Sequence, residues 1–329
     1  MTTFHPLRFA AHLTGWMVAL IILSLASVLI QPGSASLTEW ISWFRTGEPE
    51  SLGLIWTEFR LPRLIAAGMT GGALAVSGLI LQLMLRNPLA EPYILGISSG
   101  ASLGAILPLL LGVHLYFIQA GGAFLGAVIV SAVVFRIGYR FGVLDTGRLL
   151  LGGVMMSALL SAVIFLALHL TGDSLRIAIT WLMGNLSLSD PQLVWPLFPV
   201  ILFLLAVLIR YAWSFNLLLT GEAVARQSGV PVERLKRVAY LCVSAMTGLC
   251  VATSGIIGFT GLVVPHILRI FYGNDHRYLI PVSFLAGAIF LILSDWIARS
   301  LLYPSELPVG AITALIGAPY FIYLLIKKT

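Results

Sequence analysis

The residues Gly96-Ile97-Ser98-Ser99-Gly100 have the G-x-S-x-G spacing of a serine nucleophile. That chemistry needs a strand before the serine, a helix after it and an acid–base pair at hand. Here the string opens an apolar stretch, where small residues let helix backbones approach one another. Packing is therefore the expectation for Ser98. Phosphate chemistry fares no better. A P-loop reads G-x-x-x-x-G-K-[ST], but the only lysines are Lys236, Lys327 and Lys328, and none follows that glycine pattern. The chain is expected not to hydrolyse ATP and not to be an enzyme. No H-E-x-x-H pair or cysteine–histidine cluster suggests a metal. Cys242 and Cys250 lie in one apolar run. On a helix they would stand about 12 Å apart, too far to bridge.

The remaining candidates are ionic. Arg60-Leu61-Pro62-Arg63 opens an apolar run and Arg299 closes another. Guanidinium groups grip carboxylates through two parallel bonds, so the three could dock an acidic partner. They could equally snorkel to lipid headgroups. Asp295 lies within an apolar run, where an ionisable group is a functional candidate; it is also one turn from Arg299, in reach of an ion pair. His266 reads as a packed or capping residue. The polar string Gly221-Glu222-Ala223-Val224-Ala225-Arg226-Gln227-Ser228-Gly229-Val230-Pro231 reads as a short helix, a glycine stop and a second helix start at Pro231. It is either a handle for a partner or a solvated connector.

Lipid must be the solvent of the elements that hold these groups. Of 329 residues, 59% are hydrophobic and 10% charged, against about a quarter charged in a soluble domain. The apolar runs have helical length and lack the alternation of barrel strands. They fall near 12–30, 61–83, 94–112, 116–138, 149–171, 193–213, 237–255, 257–272, 279–301 and 306–326, about ten crossings, the eighth short and interrupted by Pro265. The first run, followed by Ser34-Ala35-Ser36, resembles a leader but is longer than a cleaved one.

With a cytoplasmic N-terminus, only Arg45, Arg60, Arg63, Arg176 and Arg299 of the nineteen basic residues lie outside. This is the positive-inside asymmetry, and it accounts for the net charge of +6 without nucleic acid. The longest polar stretches are then 31–59 outside and about 214–237 inside. Gly71, Ala75, Ser77, Gly78, Pro88 and Gly96 recur as Gly248, Ala252, Ser254, Gly255, Pro265 and Gly273. These fall in the second and seventh spans, which run in opposite senses. An inverted repeat is the expected plan, with chance matching among small residues as its alternative.

The strings RLPRLIAAGMTGGALAVSGLILQ (60–82), RNPLAEPYILGISSGA (86–101), RLLLGGVMMSAL (148–159), GEAVARQSGV (221–230), GIIGFTGLVVPHILRIFYGNDHR (255–277) and ELPVGAITALIGAPYFIYLL (306–325) resemble the FecCD-type permeases of binding-protein-dependent ABC importers for iron chelates, haem and cobalamin. The resemblance covers nearly everything after residue 55. It implies an all-α, type II importer permease of one transmembrane domain spanning 1–329, with ten helices per subunit and the pathway between two copies, in a bacterial inner membrane. Both termini would be cytoplasmic.

It further implies that Arg60, Arg63 and Arg299 receive a periplasmic or surface substrate-binding protein. Leu219, Gly221, Glu222, Ala223, Ala225, Gly229 and Val230 would rest on one of two ATP-binding cassette subunits, which hold the ATP and magnesium; this chain needs no cofactor. Asp145, Thr146 and Gly147 would stand at the inner gate, and Leu151, Met155, Met156 and Leu159 would line the pathway. Thr260 stands where relatives carry a larger apolar or β-branched residue. The alternative is an ion-gradient-driven secondary transporter, for which Asp295 is the one buried ionisable candidate.

Overall fold

The computed structural model describes residues 6–30, 36–47, 50–170, 175–187 and 189–327; Ser34, Ala35 and Lys328 lie outside these. The helices in chain order are α1 (Pro6–Leu29), α2 (Leu37–Thr46), α3 (Glu50–Leu54), α4 (Leu61–Met84), α5 (Ile97–Leu110), α6 (Tyr116–Gly138), α7 (Thr146–Leu170), α8 (Leu175–Leu182), α9 (Pro191–Arg210), α10 (Ala212–Leu219), α11 (Glu222–Gln227), α12 (Val232–Ser254), α13 (Thr260–Tyr272), α14 (His276–Ser300) and α15 (Val309–Lys327). A π-helical turn, Ile55–Arg60, joins α3 to α4. Two short strands, β1 (Tyr139–Arg140) and β2 (Val143–Leu144), form a hairpin between α6 and α7.

Seven helical stretches among the described residues are long and apolar enough to cross a membrane: most of α1, the continuous 51–84 helix, α6, α7, α9, α12 and α14. Three shorter apolar helices complete the set: α5, α13 and most of α15. These ten coincide with the ten apolar runs of the sequence.

Lipid tails are as apolar as leucine, so close packing of small residues must hold such helices together. α4 crosses α14 with Gly71 against the Gly287 backbone, and α5 meets α6 with Gly100 and Gly104 against Gly126 and Gly122. A methyl group at any of these glycines would collide with a facing carbonyl. The G-x-S-x-G string is part of this joint: Gly96 ends a turn with φ 75°, and Ser98 is buried.

α4 packs on α14 and α12 packs on α6. Likewise α5 packs on α6 and α7, as α13 packs on α14 and α15. Exchanging α4–α7 for α12–α15 thus maps one set of contacts onto the other, as an internal repeat requires.

The sequence placed an interruption at Pro265. Instead α13 runs through Pro265 unbroken. Proline cannot donate to the carbonyl four residues back, and here the Gln82 amide supplies the missing donor, at 3.1 Å from the Gly261 oxygen. The actual break is at residues 255–259, after Gly255 with φ 69°. Ser254 faces Thr70 at 3.1 Å, well along α4, so this irregular backbone is buried within the bundle. Protein must then satisfy its polar groups. The Tyr93 hydroxyl donates to the Ile257 carbonyl at 2.6 Å and accepts from its N–H at 2.9 Å. The Glu91 carboxylate accepts from Phe259 N–H.

Candidate functional site

The candidate residues gather at opposite ends of the bundle. At one end, the continuous 51–84 helix places Arg60 and Arg63 one turn apart, and antiparallel α14 brings up Asp295 and Arg299. Asp295 is buried, 3% exposed, and holds two guanidinium groups. Arg63 donates to it from Nε at 3.1 Å and from Nη2 at 2.9 Å, and Arg299 Nε pairs with it at 3.0 Å. The third side of Arg63 reaches Glu306 at 2.9 Å. The expected Asp295–Arg299 pair is therefore present, and Arg63 shares it.

Arg60 is held differently. It lies over the Trp40 ring, 5.1 Å from the centroid, and donates to the Val28 carbonyl at 2.8 Å. Trp40 is positioned by α2, which starts at a capping box in which Ser36 and Glu39 exchange hydrogen bonds. That exchange holds the Glu39 carboxyl below its usual pKa. The stretch that reads as polar loop in sequence thus contains a folded amphipathic helix, and the capping residues were its legible sign. The cluster opens into a cleft of about 670 Å³ lined by Arg60, Arg63, Arg299, Glu306, Asn185 and Tyr303. Three arginines against two carboxylates leave the cleft cationic.

At the other end, α11 is a six-residue helix between two glycines. Gly221, φ 121°, precedes it and Gly229, φ 82°, follows. Gly229 N–H bonds the Arg226 carbonyl and Val230 N–H the Ala225 carbonyl, the paired closure of a Schellman stop. Ala225 and Val230 are buried; Leu219, Ala223 and Gly229 are exposed, and Glu222 is half-buried. The helix therefore has a fixed back and a presented front. Against α10, Asp275 accepts from Asn216 at 2.6 Å and pairs with Arg277 at 2.6 Å. Burial pushes the Asp275 carboxyl up, but bonds from Arg277 and Asn216 together outweigh it and hold its pKa below the usual value.

The β1–β2 hairpin lies at this same end. Phe141 and Gly142, both with positive φ, make its turn. Asp145 follows directly; its N–H bonds the Gly138 carbonyl, and its carboxylate accepts from Arg148 N–H at 3.0 Å. Asp145 and Gly147 are exposed and Thr146 half-buried. From there α7 exposes Leu151, Met155 and Leu159, which lie four residues apart on one face. Met156 is turned partly onto the core. His266 packs edge-on against Tyr320 and Phe321. Cys242 and Cys250 are buried free thiols. Thr260 opens α13, fully buried, with its hydroxyl unpaired.

Sequence reading missed Glu306, Glu233 and Lys236. Glu306 holds Arg63, while Glu233 and Lys236, one turn apart just after Pro231, bond both the connector and the hairpin.

A multi-pass helical membrane protein with ionic sites at opposite ends and small residues between its helices has the architecture of a transport subunit. The comparisons place it further. The profile of the FecCD transport family matches residues 19–327, and the chain belongs to that family. It is 43% identical over 279 residues to the cobalamin import system permease protein BtuC of Halobacterium salinarum, spanning 85% of this chain and 75% of that one. It is 38% identical to the hemin transport system permease protein HmuU of Yersinia pestis, over 95% and 94% of the two chains. It is 39% identical to the vitamin B12 import system permease protein BtuC of Escherichia coli, over 95% of each. Among solved structures, a metal-chelate-type ABC transporter in an inward-facing conformation superposes with a TM-score of 0.86 at 31% identity, covering 97% of this chain and 99% of that one. The chain is thus a multi-pass membrane permease of the ABC importer class.

Proposed function

We propose that this permease carries a bulky metal chelate, of the haem, cobalamin or ferric siderophore kind, between two copies of itself, driven by two separate ATPase subunits. The observation that carries the reading is α11. Its back is pinned by Ala225 and Val230, while Leu219, Ala223 and Val224 face outward at the end opposite the arginine cluster. An exposed apolar patch on a short fixed helix is a surface for another protein. In this reading Gly221, Glu222 and Gly229 set its pose, and the ATPases pull on it.

At the other end, Arg60, Arg63 and Arg299 receive carboxylates of a binding protein that delivers the chelate. Leu151, Met155 and Leu159 line the path, with Met156 behind them, and Asp145, Thr146 and Gly147 stand at its inner mouth. A lining of leucine and methionine need not grip the passenger, because the delivering protein selects it. Ten crossings bring both termini to one side, and the positive-inside orientation makes that side cytoplasmic.

The test is uptake into proteoliposomes containing the permease, its ATPase and its binding protein. Uptake is expected to require ATP and to be lost when Ala223→Arg places a charge on the α11 surface, with the variant still monodisperse in detergent. Uptake by the permease alone, driven by an ion gradient, would overturn the reading and favour a secondary transporter.

A further inference from the structure

The connector and the hairpin belong to different segments of the chain, yet a closed ring of side chains ties them together. Glu222 of α11 bonds Lys236 of α12 at 2.7 Å and Arg226 at 3.3 Å. Arg226 in turn bonds Glu233 of α12 at 2.8 Å. The free oxygen of Glu233 accepts the Leu144 N–H at 2.9 Å, and Lys236 Nζ approaches the Leu144 carbonyl at 3.4 Å. The two polar groups of one β2 residue are thus both held by α12 side chains that also hold α11. Leu144 itself is buried, 1% exposed, and the next residue is Asp145.

Burial stiffens this ring on its Lys236 side, while Arg226 stands half exposed. The Lys236 side chain is 4% exposed. An ammonium that lost Glu222 there would be a buried charge without a counter-charge, which is strongly unfavourable. The ring is neutral as a whole, with two carboxylates against two cations, so it has no reason to dissociate for want of a counter-charge. A displacement of α11 therefore either breaks several bonds at once or carries Leu144 with it.

We propose that Glu233 and Lys236 are positioning residues that convey movement of α11 to the α6–α7 hairpin, and through it to Asp145, Thr146 and Gly147. This rests on the transport reading above and adds the route by which an ATPase-driven shift of α11 reaches the inner mouth. Lys236 is buried and Glu233 half-buried, whereas Arg226 is the exposed member of the ring.

The experiment uses the complete transporter in proteoliposomes with Glu233→Gln, Lys236→Met and, as the conservative control, Lys236→Arg. Glu233→Gln and Lys236→Met are expected to retain the ATPase and hydrolyse ATP at near wild-type rates, but to lower uptake per ATP about fivefold or more. Lys236→Arg should restore most of it. Spin labels at Phe141→Cys and Gln227→Cys give a second reading in the isolated permease. Their distance distribution should be narrow with the ring intact and broad in Glu233→Gln. Unchanged uptake per ATP with an unchanged distribution would overturn the proposal. So would parallel loss of hydrolysis and uptake, which would mark the ring as a support for ATPase docking alone. If the wild-type complex shows no ATP-dependent uptake, the transport reading fails, while the label distances still decide whether the ring joins α11 to the hairpin.

Discussion

Asp295 and Glu306 face the same arginine and should behave in opposite ways. Asp295 is buried between Arg63 and Arg299, so Asp295→Asn leaves two guanidinium groups close together without their shared counter-charge. Breaking a buried ion pair from one side costs about 3–5 kcal/mol, and the variant should unfold at a clearly lower temperature in detergent. Glu306 is 41% exposed, and exposed ion pairs contribute about 0–1 kcal/mol. Glu306→Gln should leave the melting temperature nearly unchanged. It should instead free one edge of Arg63 and speed capture of an acidic binding protein, read as a higher association rate at low salt. Equal melting temperatures for the two variants would refute this division into a structural and a displaceable carboxylate. The sequence showed Asp295 beside Arg299 because they share a helical face. It could not show Arg63 beside Asp295, 232 residues away, because that contact exists only once α4 and α14 have packed.

Helix ends and helix crossings give glycine different tasks, which the same substitution separates. Gly229 stops α11 in a left-handed conformation with open space where a side chain would stand. Alanine there pays only backbone strain, about 1–2 kcal/mol for a non-glycine residue in that region. Gly229→Ala should still fold, with ATP-dependent uptake reduced as the presented front of α11 shifts. Gly78 has an ordinary helical conformation, yet a methyl group there would collide with the Gly261 backbone. Gly78→Ala must push α13 away from α4 and should cut the yield of monodisperse protein severely. Comparable yields would show that the α4–α13 joint tolerates separation. Both glycines are visible in the sequence, but only the first announces its role, by standing between a short amphipathic string and a proline. The second role depends on what lies opposite. The same holds at Pro265, whose helix-breaking tendency is offset by Gln82 from a distant segment. The ten apolar runs were legible because burial in lipid leaves a composition signal in the run itself. The buried break at 255–259 was not, since its carbonyls and N–H groups are satisfied by Tyr93 and Glu91 from another part of the chain.

For the molecule as a whole, direction follows from two independent features. α4 runs from the arginine cluster toward the hairpin end, and α12 runs from the hairpin end back, because Glu233 and Lys236 bond Leu144 while Ser254 reaches Thr70. The two ends thus have distinct chemistry. The arginine end holds paired charges in a cleft, and the α11 end carries the connector, the hairpin and Asp275. Basic residues divide unequally between them, and cytoplasmic loops are the ones enriched in lysine and arginine. The α11 end is therefore expected to face the cytoplasm. Single cysteines at Gln227 and at Tyr303, in a background with Cys242 and Cys250 replaced by alanine, can be challenged with a membrane-impermeant maleimide. Intact cells should label Tyr303→Cys, given passage to the inner-membrane surface, and spare Gln227→Cys; inverted vesicles should do the reverse. Labelling of Gln227→Cys from the outside would put α11 beyond the reach of any cytoplasmic ATPase. The energy source, the position of the inner mouth and the coupling ring would then all be misassigned together, because each depends on that one face being inside.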